Sequence, residues 1–143
     1  MAANAEAFIQ TILGMVKNRD YAGIPDIIAP GAVLHTPRHF KPITDIRHFA
    51  AVLLMVPQVI EGFHYSRTWA QGDTALMEFK GTIDGKLIHG LDIFVLDDDN
   101  RASELTVFLR PTSAHAILGE AEDKLILAEL ARRKAGTPPT QSE

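Results

Sequence analysis

The sequence predicts an α+β fold in which a curved, antiparallel or mixed sheet wraps over N-terminal helices and a C-terminal helix follows. Near the N-terminus, apolar residues recur at helical spacing at Phe8, Ile12 and Met15, as in a helix with one buried face. In the second half, apolar or alternating runs are separated by the turn sequences Gln71-Gly72-Asp73 and Asp84-Gly85. Such spacing is typical of strands joined by hairpins.

Each element has its own local signal. Asn4 is a suitable N-cap for the first helix, and Asn18-Arg19-Asp20 ends it. We predict further helices near 21–29 and 44–55 with a short strand over 32–36 between them, then strands over 63–70, 74–83, 86–96 and 101–110, and a last helix from about 112 to 134. A sheet curved over these helices forms a cone whose open end is a pocket.

Length and composition limit the possible classes. The 143 residues suit one domain, which we expect over 1–136, with 137–143 as a disordered tail. The absence of cysteine excludes disulfides, thiolate metal sites and a cysteine nucleophile. A net charge of −4 argues against nucleic acid as a partner and gives no attraction to anionic lipid.

Localisation and cofactors are expected to be simple. The N-terminal stretch has neither a basic leading region nor a long apolar run, so we expect a cytoplasmic protein without membrane contact. His35 and His39 are four residues apart, but Pro37 between them excludes a helical metal-binding pair. No phosphate-binding or dinucleotide-binding glycine pattern occurs. The sequence therefore predicts neither a metal nor a cofactor.

Asp92 is the strongest candidate for chemistry. It lies inside the apolar strand predicted over 86–96, on the same face as Ile88, Gly90 and Phe94. Burial among apolar residues would raise the pKa of this carboxyl, so that it could give or take a proton near neutral pH. Binding a ligand by hydrogen bonds, or a purely structural role, would also explain a buried carboxylate.

Three segments of the sequence resemble a known superfamily. They are GAVLHTP from Gly31 to Pro37, GLDIFVLDDDNRASELTVF from Gly90 to Phe108, and FLRPTSA from Phe108 to Ala114. Together with the order of elements, they resemble the cone-shaped, cystatin-like α+β fold of the nuclear-transport-factor-two-like superfamily, and most of all its SnoaL-like branch. That superfamily includes ketosteroid isomerases, polyketide cyclases, limonene epoxide hydrolases and dehydratases, so the resemblance is specific for the fold and not for one activity.

The ketosteroid isomerase pattern carries over only in part. Its oxyanion-hole carboxylic acid lies in a strand that resembles the one carrying Asp92. Its general-base aspartate precedes a proline, and Thr36 holds that place here. Its tyrosine on the first helix corresponds to Ile12. The resemblance therefore implies that steroid isomerisation by that mechanism is not expected. The aspartate set of limonene epoxide hydrolase also fails, because its last-strand carboxylate falls near Val107.

Polyketide cyclases of the SnoaL type use one aspartate on a strand as the acid/base, supported by a histidine. The resemblance therefore implies that Asp92 is the acid/base here and that His35 is its partner. Adjacent residues of a strand face opposite sides, so only one of His35 and Thr36 points into the cone. The isomerase pattern favours Thr36 and the epoxide hydrolase pattern favours His35, which leaves both open. The resemblance also implies a set of pocket residues for substrate, with one loop residue at the mouth: Ile12, Thr36, Phe94, Leu105, Val107, Leu109 and Phe40.

Two functions fit these features. One is a cofactor-free acid/base isomerase, cyclase or lyase acting on a hydrophobic carbonyl compound. The other is a module that binds a small hydrophobic molecule without turnover. Tyr65, Arg67 and Trp69 alternate along one strand, and we predict that they form an outer sheet face covered by a second copy of the chain, because an exposed aromatic face needs a cover.

Overall fold

The structure is a computed structural model that describes residues 2–136, so the tail predicted over 137–143 lies outside the described residues. The elements run in this order: α1 (Ala5–Asn18), a 3₁₀ turn (Ile24–Ile27), β1 (Ile28–His35), α2 (Ile46–Val59), β2 (Glu61–Gln71), β3 (Thr74–Ile83), β4 (Lys86–Leu96), β5 (Ala102–Arg110) and α3 (Thr112–Lys134).

The five strands form one mixed sheet in the order β1-β5-β4-β3-β2. β2 to β5 form an antiparallel meander, whereas β1 pairs with β5 in parallel. Helices α1 and α2 pack against this sheet, and α3 returns to contact both α2 and β5. The predicted α+β class, with a mixed sheet, N-terminal helices and a C-terminal helix, is confirmed.

The segment between α1 and β1 differs from the prediction. Only a 3₁₀ turn over Ile24–Ile27 forms where we predicted a helix near 21–29, and β1 begins at Ile28 instead of residue 32. Pro30 lies within this strand, where it is tolerated because β1 is at the sheet edge. Gly31 has a φ of 76° and falls in the register break between Ile28 and Val33, so the strand is irregular there.

Helix α2 also differs at both ends. Its N-cap is Asp45, whose carboxylate accepts the N–H of Arg47 at 2.9 Å, instead of a residue at 44. Pro57 lies inside the helix, which continues to Val59. A proline there removes one backbone hydrogen bond, but Pro57 is itself buried, and the helix runs past the end predicted at residue 55.

The apolar core has two parts. The larger cluster joins α1 and α2 to the inner sheet face and includes Phe8, Phe49 and Phe94. The smaller joins Phe63 and Phe79 of the sheet to the start of α3. Four residues pack against both clusters: Val16, Val56, Tyr65 and Val107.

A β-bulge in β2 decides which side chains face inward. Tyr65 lies opposite Phe79 and Arg67 lies opposite Glu78, so Ser66 is an extra residue in β2. Its hydroxyl donates to the Glu78 carboxylate at 2.7 Å. The bulge reverses the alternation, which places Tyr65 on the inner face and leaves Arg67 on the outer one. The prediction that Tyr65 belongs to the outer face was wrong.

Candidate functional site

A narrow cavity lies between the helices and the inner sheet face, where the two core clusters meet. Its floor and walls are mostly apolar, and the volume that the centre of a water molecule can reach inside is about 80 Å³. The sheet and helices contribute these apolar lining residues: Ile12, Met15, Val16, Leu34, Val52, Met55, Val56, Phe63, Phe79, Leu105, Val107, Leu109 and Leu118.

Asp92 lines this cavity from the central strand β4. On the inner face it lies between Met77 of β3 and Val107 of β5, and it is only 6% exposed. Its Oδ2 atom accepts a hydrogen bond from the Tyr65 hydroxyl at 3.0 Å. Among residues 2–136, no Lys, Arg or His forms an ion pair with it.

This environment perturbs both ionisable groups. Burial raises the pKa of Asp92 to about 7, and the hydrogen bond from Tyr65 opposes that shift by stabilising the ionised carboxylate. Burial, followed by the nearby Asp92 charge, raises the pKa of Tyr65 well above its ordinary value. At neutral pH the cavity therefore holds a carboxyl group that exchanges its proton readily and a phenol that stays protonated.

Five other polar side chains line the cavity: Thr36, His115, Tyr21, Arg38 and Glu122. The Thr36 hydroxyl accepts the backbone N–H groups of Arg38 and His39 at 3.2 and 3.4 Å. The Nε2 atom of His115 lies 2.8 Å from the backbone oxygen of Leu109, so that nitrogen carries a proton. Tyr21, which is 7% exposed, has no hydrogen-bond partner for its hydroxyl within the described part of the chain.

Ion pairs connect α3 to α2 and to the segment after β1 along one side of the cavity. Arg38 binds Asp123 through both terminal nitrogens at 2.9 and 3.3 Å, and one of them lies 3.8 Å from Glu122. His48 of α2 lies 3.2 Å from the same Glu122. Gly119 leaves room for the Arg38 guanidinium, since an added Cβ would lie 3.0 Å from its Nε. The charge of Arg38 is thus already neutralised by acids of α3.

The predicted pair of Asp92 and His35 does not form. Parallel pairing with β5 places Leu34 beside Leu105 and His35 beside Thr106, which turns Leu34 inward and His35 outward. His35 instead contacts Glu104 on the outer face, with 2.7 Å between Nε2 and Oε2. Of the two residues that were candidates to point into the cone, Thr36 lines the cavity and His35 does not.

Two predicted pocket residues lie elsewhere. Phe94 shares the inner face with Asp92 but is fully buried against Phe8, with 5.0 Å between ring centroids, so it belongs to the core. Phe40 is fully exposed and does not line the cavity. The other predicted substrate-contacting residues do line it: Ile12, Thr36, Leu105, Val107 and Leu109.

Sequence reasoning missed both tyrosines of the cavity. Tyr65 was assigned to the wrong face because the bulge at Ser66 leaves no mark in the alternation of residues. Tyr21 was assigned to a helix that does not form. One signal was present: Phe63 and Tyr65 are two residues apart, so a buried Phe63 would have placed Tyr65 inward as well.

The described residues contain neither a metal-binding cluster nor a membrane-spanning helix. In the chain from 2 to 136, no three His, Asp or Glu side chains are placed to hold a metal ion. Within the same range, no helix has the length and apolarity needed to cross a bilayer.

Comparison with solved structures identifies the superfamily. A steroid delta-isomerase from Pseudomonas aeruginosa is 31% identical, with a TM-score of 0.82 over 92% of this chain and 97% of the other. A cystatin-like protein from Silicibacter pomeroyi is 24% identical, with a TM-score of 0.79 over 89% and 90%. An NTF-2 like protein from Burkholderia xenovorans is 14% identical, with a TM-score of 0.61 over 78% and 90%. The chain belongs to the NTF2-like superfamily.

Only the first of these three similarities goes beyond the fold. The other two lie below 25% identity and show that this NTF2-like protein shares their architecture. No protein-family model matches the sequence, and comparison with curated proteins finds no match.

The buried carboxyl group of Asp92 should make the stability of this NTF2-like protein depend on pH. Unfolded Asp92 ionises near 3.8, whereas the folded group keeps its proton up to about pH 7. Between pH 3.8 and about 7 the folded state therefore binds more protons than the unfolded state. The free energy of unfolding then falls as pH rises through this window, by as much as about 4 kcal/mol. Urea titrations across the window should show Asp92→Asn gaining stability relative to the wild type as pH rises.

Asp98→Asn is the matched control, because Asp98 is exposed in the β4–β5 turn. This variant should keep the wild-type dependence on pH. A constant stability difference between Asp92→Asn and the wild type across the window would show that the pKa of Asp92 is not raised.

Proposed function

We propose that this protein is a cofactor-free acid/base enzyme, an isomerase, cyclase or lyase, in which Asp92 moves a proton on a small hydrophobic carbonyl compound. The observation that carries the proposal is a carboxyl group with a pKa of about 7 on the wall of an apolar cavity. A group that titrates near the working pH is suited to both removing and returning a proton.

The proposed reaction consists of two proton transfers. Ionised Asp92 removes a proton from the carbon next to the carbonyl; the C–H bond breaks and its electron pair moves to the carbonyl oxygen, giving an enolate. Protonated Asp92 then returns the proton to the same or a conjugated carbon. Tyr65 supports the ionised form before proton removal and after proton return through its hydrogen bond to Oδ2. No oxidant, reductant or metal is needed for this sequence.

The cavity also limits the substrate. Its lining is mostly apolar, and Arg38, a cation that lines it, is already paired with Asp123 and Glu122. An uncharged compound is therefore favoured over a carboxylate or phosphate, because burying an unpaired anion beside Asp92 is costly. Similarity to a protein named steroid delta-isomerase supports proton transfer at a carbonyl compound. The steroid itself is not carried over, since Ile12 and Thr36 replace two groups of the known isomerase pattern.

Binding without turnover is the second candidate. The residues that replace those two groups, Ile12 and Thr36, cannot act as acid or base near neutral pH, and the space reachable by water is only about 80 Å³. A cavity of this kind could hold a small apolar molecule while Asp92 only donates or accepts a hydrogen bond.

Exchange of a ketone's α-protons for deuterium distinguishes catalysis from binding without turnover. With β-tetralone, an enolisable ketone, in deuterium oxide, the wild type should replace the α-protons by deuterium faster than buffer alone, as followed by proton NMR. The enzymatic rate should rise with pH and level off above about 7, because the ionised carboxylate is the base. Asp92→Asn should reduce it at least about a hundredfold.

Glu104→Gln is the control, since it makes the same change of carboxylate to amide on the outer face beside His35. It should retain the wild-type rate. Equal rates in Asp92→Asn and the wild type would exclude Asp92 as the proton carrier, and ketone binding without any exchange would favour the second candidate.

We also propose that the outer sheet face binds a second copy of the chain. Trp69 and Phe108 are 45% and 55% exposed there, around a shallow groove that Leu76 and Leu91 also line. Next to these aromatic residues lies an ion-pair network in which Glu78 accepts two hydrogen bonds from Arg67 at 2.8 Å and contacts His89 at 2.8 Å. An apolar patch beside such polar groups resembles the centre and rim of a protein interface.

This surface predicts a dimer that charge can disrupt. Light scattering after size exclusion should give the mass of two chains for the wild type. The double variant Trp69→Glu, Phe108→Glu should give one chain, because four added carboxylates would meet across a symmetric interface. Phe40→Glu changes an equally exposed aromatic residue elsewhere and should remain dimeric. A monomeric wild type would contradict the proposal.

A further inference from the structure

The last helix, α3, forms one wall of the cavity. Its residues His115, Leu118 and Glu122 all line the cavity. They are three and four residues apart, so they lie on one side of the helix. The same helix contacts α2, β4 and β5. A movement of α3 away from the sheet would therefore open the cavity to solvent.

Apolar packing holds α3 mainly at its start. Ala114 is fully buried in the smaller core cluster, and Ile117 and Leu118 pack against that cluster. Further along the helix, Leu127 and Leu130 are exposed. The described apolar side chains thus attach the beginning of α3 to the sheet more firmly than the part that follows Gly119.

Charged groups hold the middle of the helix. Arg38, from the segment after β1, donates to both carboxylate oxygens of Asp123 at 2.9 and 3.3 Å and lies 3.8 Å from Glu122. His48 of α2 lies 3.2 Å from the same Glu122. Gly119 has no side chain, which lets the Arg38 guanidinium lie close against the helix. These contacts connect α3 to the two elements on the other side of the cavity.

The strength of these contacts suits a joint that opens and closes. The Asp123 side chain is 58% exposed, and ion pairs at such positions add little to stability because water competes for both partners. The hydrogen bond from Arg38 lowers the pKa of Asp123, so the pair stays charged at neutral pH. Breaking the pair would release the middle of α3 while Ala114 stays buried.

We propose that Arg38 is a positioning residue that holds α3 closed against the cavity, and that molecules enter and leave when its contacts with Asp123 and Glu122 break. The part of α3 from Gly119 onward then acts as a lid, while the start of the helix remains packed on the sheet. Local opening of weakly held segments is a common route to an enclosed site. The inference rests on the proposed function only in that the cavity must admit a molecule, for turnover or for binding alone.

A single introduced cysteine measures access to the cavity, because the chain has no cysteine of its own. Val107→Cys places a small apolar thiol on the cavity wall. Its reaction with 4,4′-dithiodipyridine, an uncharged disulfide, forms a mixed disulfide and releases one thiopyridone, which is followed by absorbance. A thiol inside the closed cavity should react much more slowly than an exposed one.

The ion pairs should control the rate of this reaction. Adding Asp123→Asn should speed labelling of Val107→Cys about threefold to fivefold. Arg38→Met, which removes both ion pairs, should speed it at least as much. Sodium chloride at about 1 M should speed labelling when Asp123 is present and have less effect in Asp123→Asn, because salt screens the pair. Val52→Cys, on the α2 wall of the cavity, provides a second site for the same measurements.

Two controls accompany these variants. Glu120→Gln removes the same charge from an exposed position of α3 and should leave the labelling rate of Val107→Cys unchanged. Asp98→Cys places the thiol in the exposed β4–β5 turn and should react equally fast with and without Asp123→Asn. Urea titrations of each variant measure its free energy of unfolding, so that opening of α3 can be distinguished from unfolding of the whole chain.

The outcomes test the lid separately from the catalytic proposal. Labelling at both cavity sites that is as fast as at Asp98→Cys, or that does not respond to Asp123→Asn and Arg38→Met, would overturn the inference. So would equal acceleration by Glu120→Gln, or an acceleration matched by an equal loss of global stability. Because labelling needs neither ligand nor turnover, a wild type that catalyses no ketone exchange would overturn the catalytic proposal alone.

Discussion

The structure of the site depends on one costly feature, a carboxyl group held between two apolar clusters with a tyrosine as its partner. Asp92 lies between Met77 and Val107 on neighbouring strands, and no Lys, Arg or His in the described part of the chain forms an ion pair with it. Desolvation therefore outweighs the single hydrogen bond from Tyr65, and the pKa rises to about 7. A fold selected for stability alone would gain by replacing this group with an apolar one.

The β-bulge at Ser66 links this site to the outer surface. It turns Tyr65 inward to Asp92 and, one residue later, turns Arg67 outward to Glu78. Without the extra residue both side chains would lie on the same face. One local irregularity in β2 thus completes the cavity on one side of the sheet and the ion-pair network of the proposed dimer surface on the other.

Much of the fold could be predicted from the sequence because the turns of the meander are marked by glycine and aspartate. The bounds of β3 and β4 agree with the structure, and so does the inward position of Asp92. The residues of the site were harder to predict, since their positions depend on the register of the strands. His35 faces outward and Tyr65 inward because of strand pairing and a bulge, neither of which is encoded in residue type. Phe40, predicted at the mouth, is fully exposed.

The most direct measurement is the titration of the Asp92 carboxyl carbon by NMR in the wild type and in Tyr65→Phe. We expect a midpoint near pH 7 in the wild type. The midpoint should be higher in Tyr65→Phe, because the hydrogen bond that favours the ionised form is lost. A wild-type midpoint near the ordinary value of 3.8 would contradict this expectation. The cavity would then hold a permanently ionised carboxylate with no suitable role as a proton carrier at neutral pH.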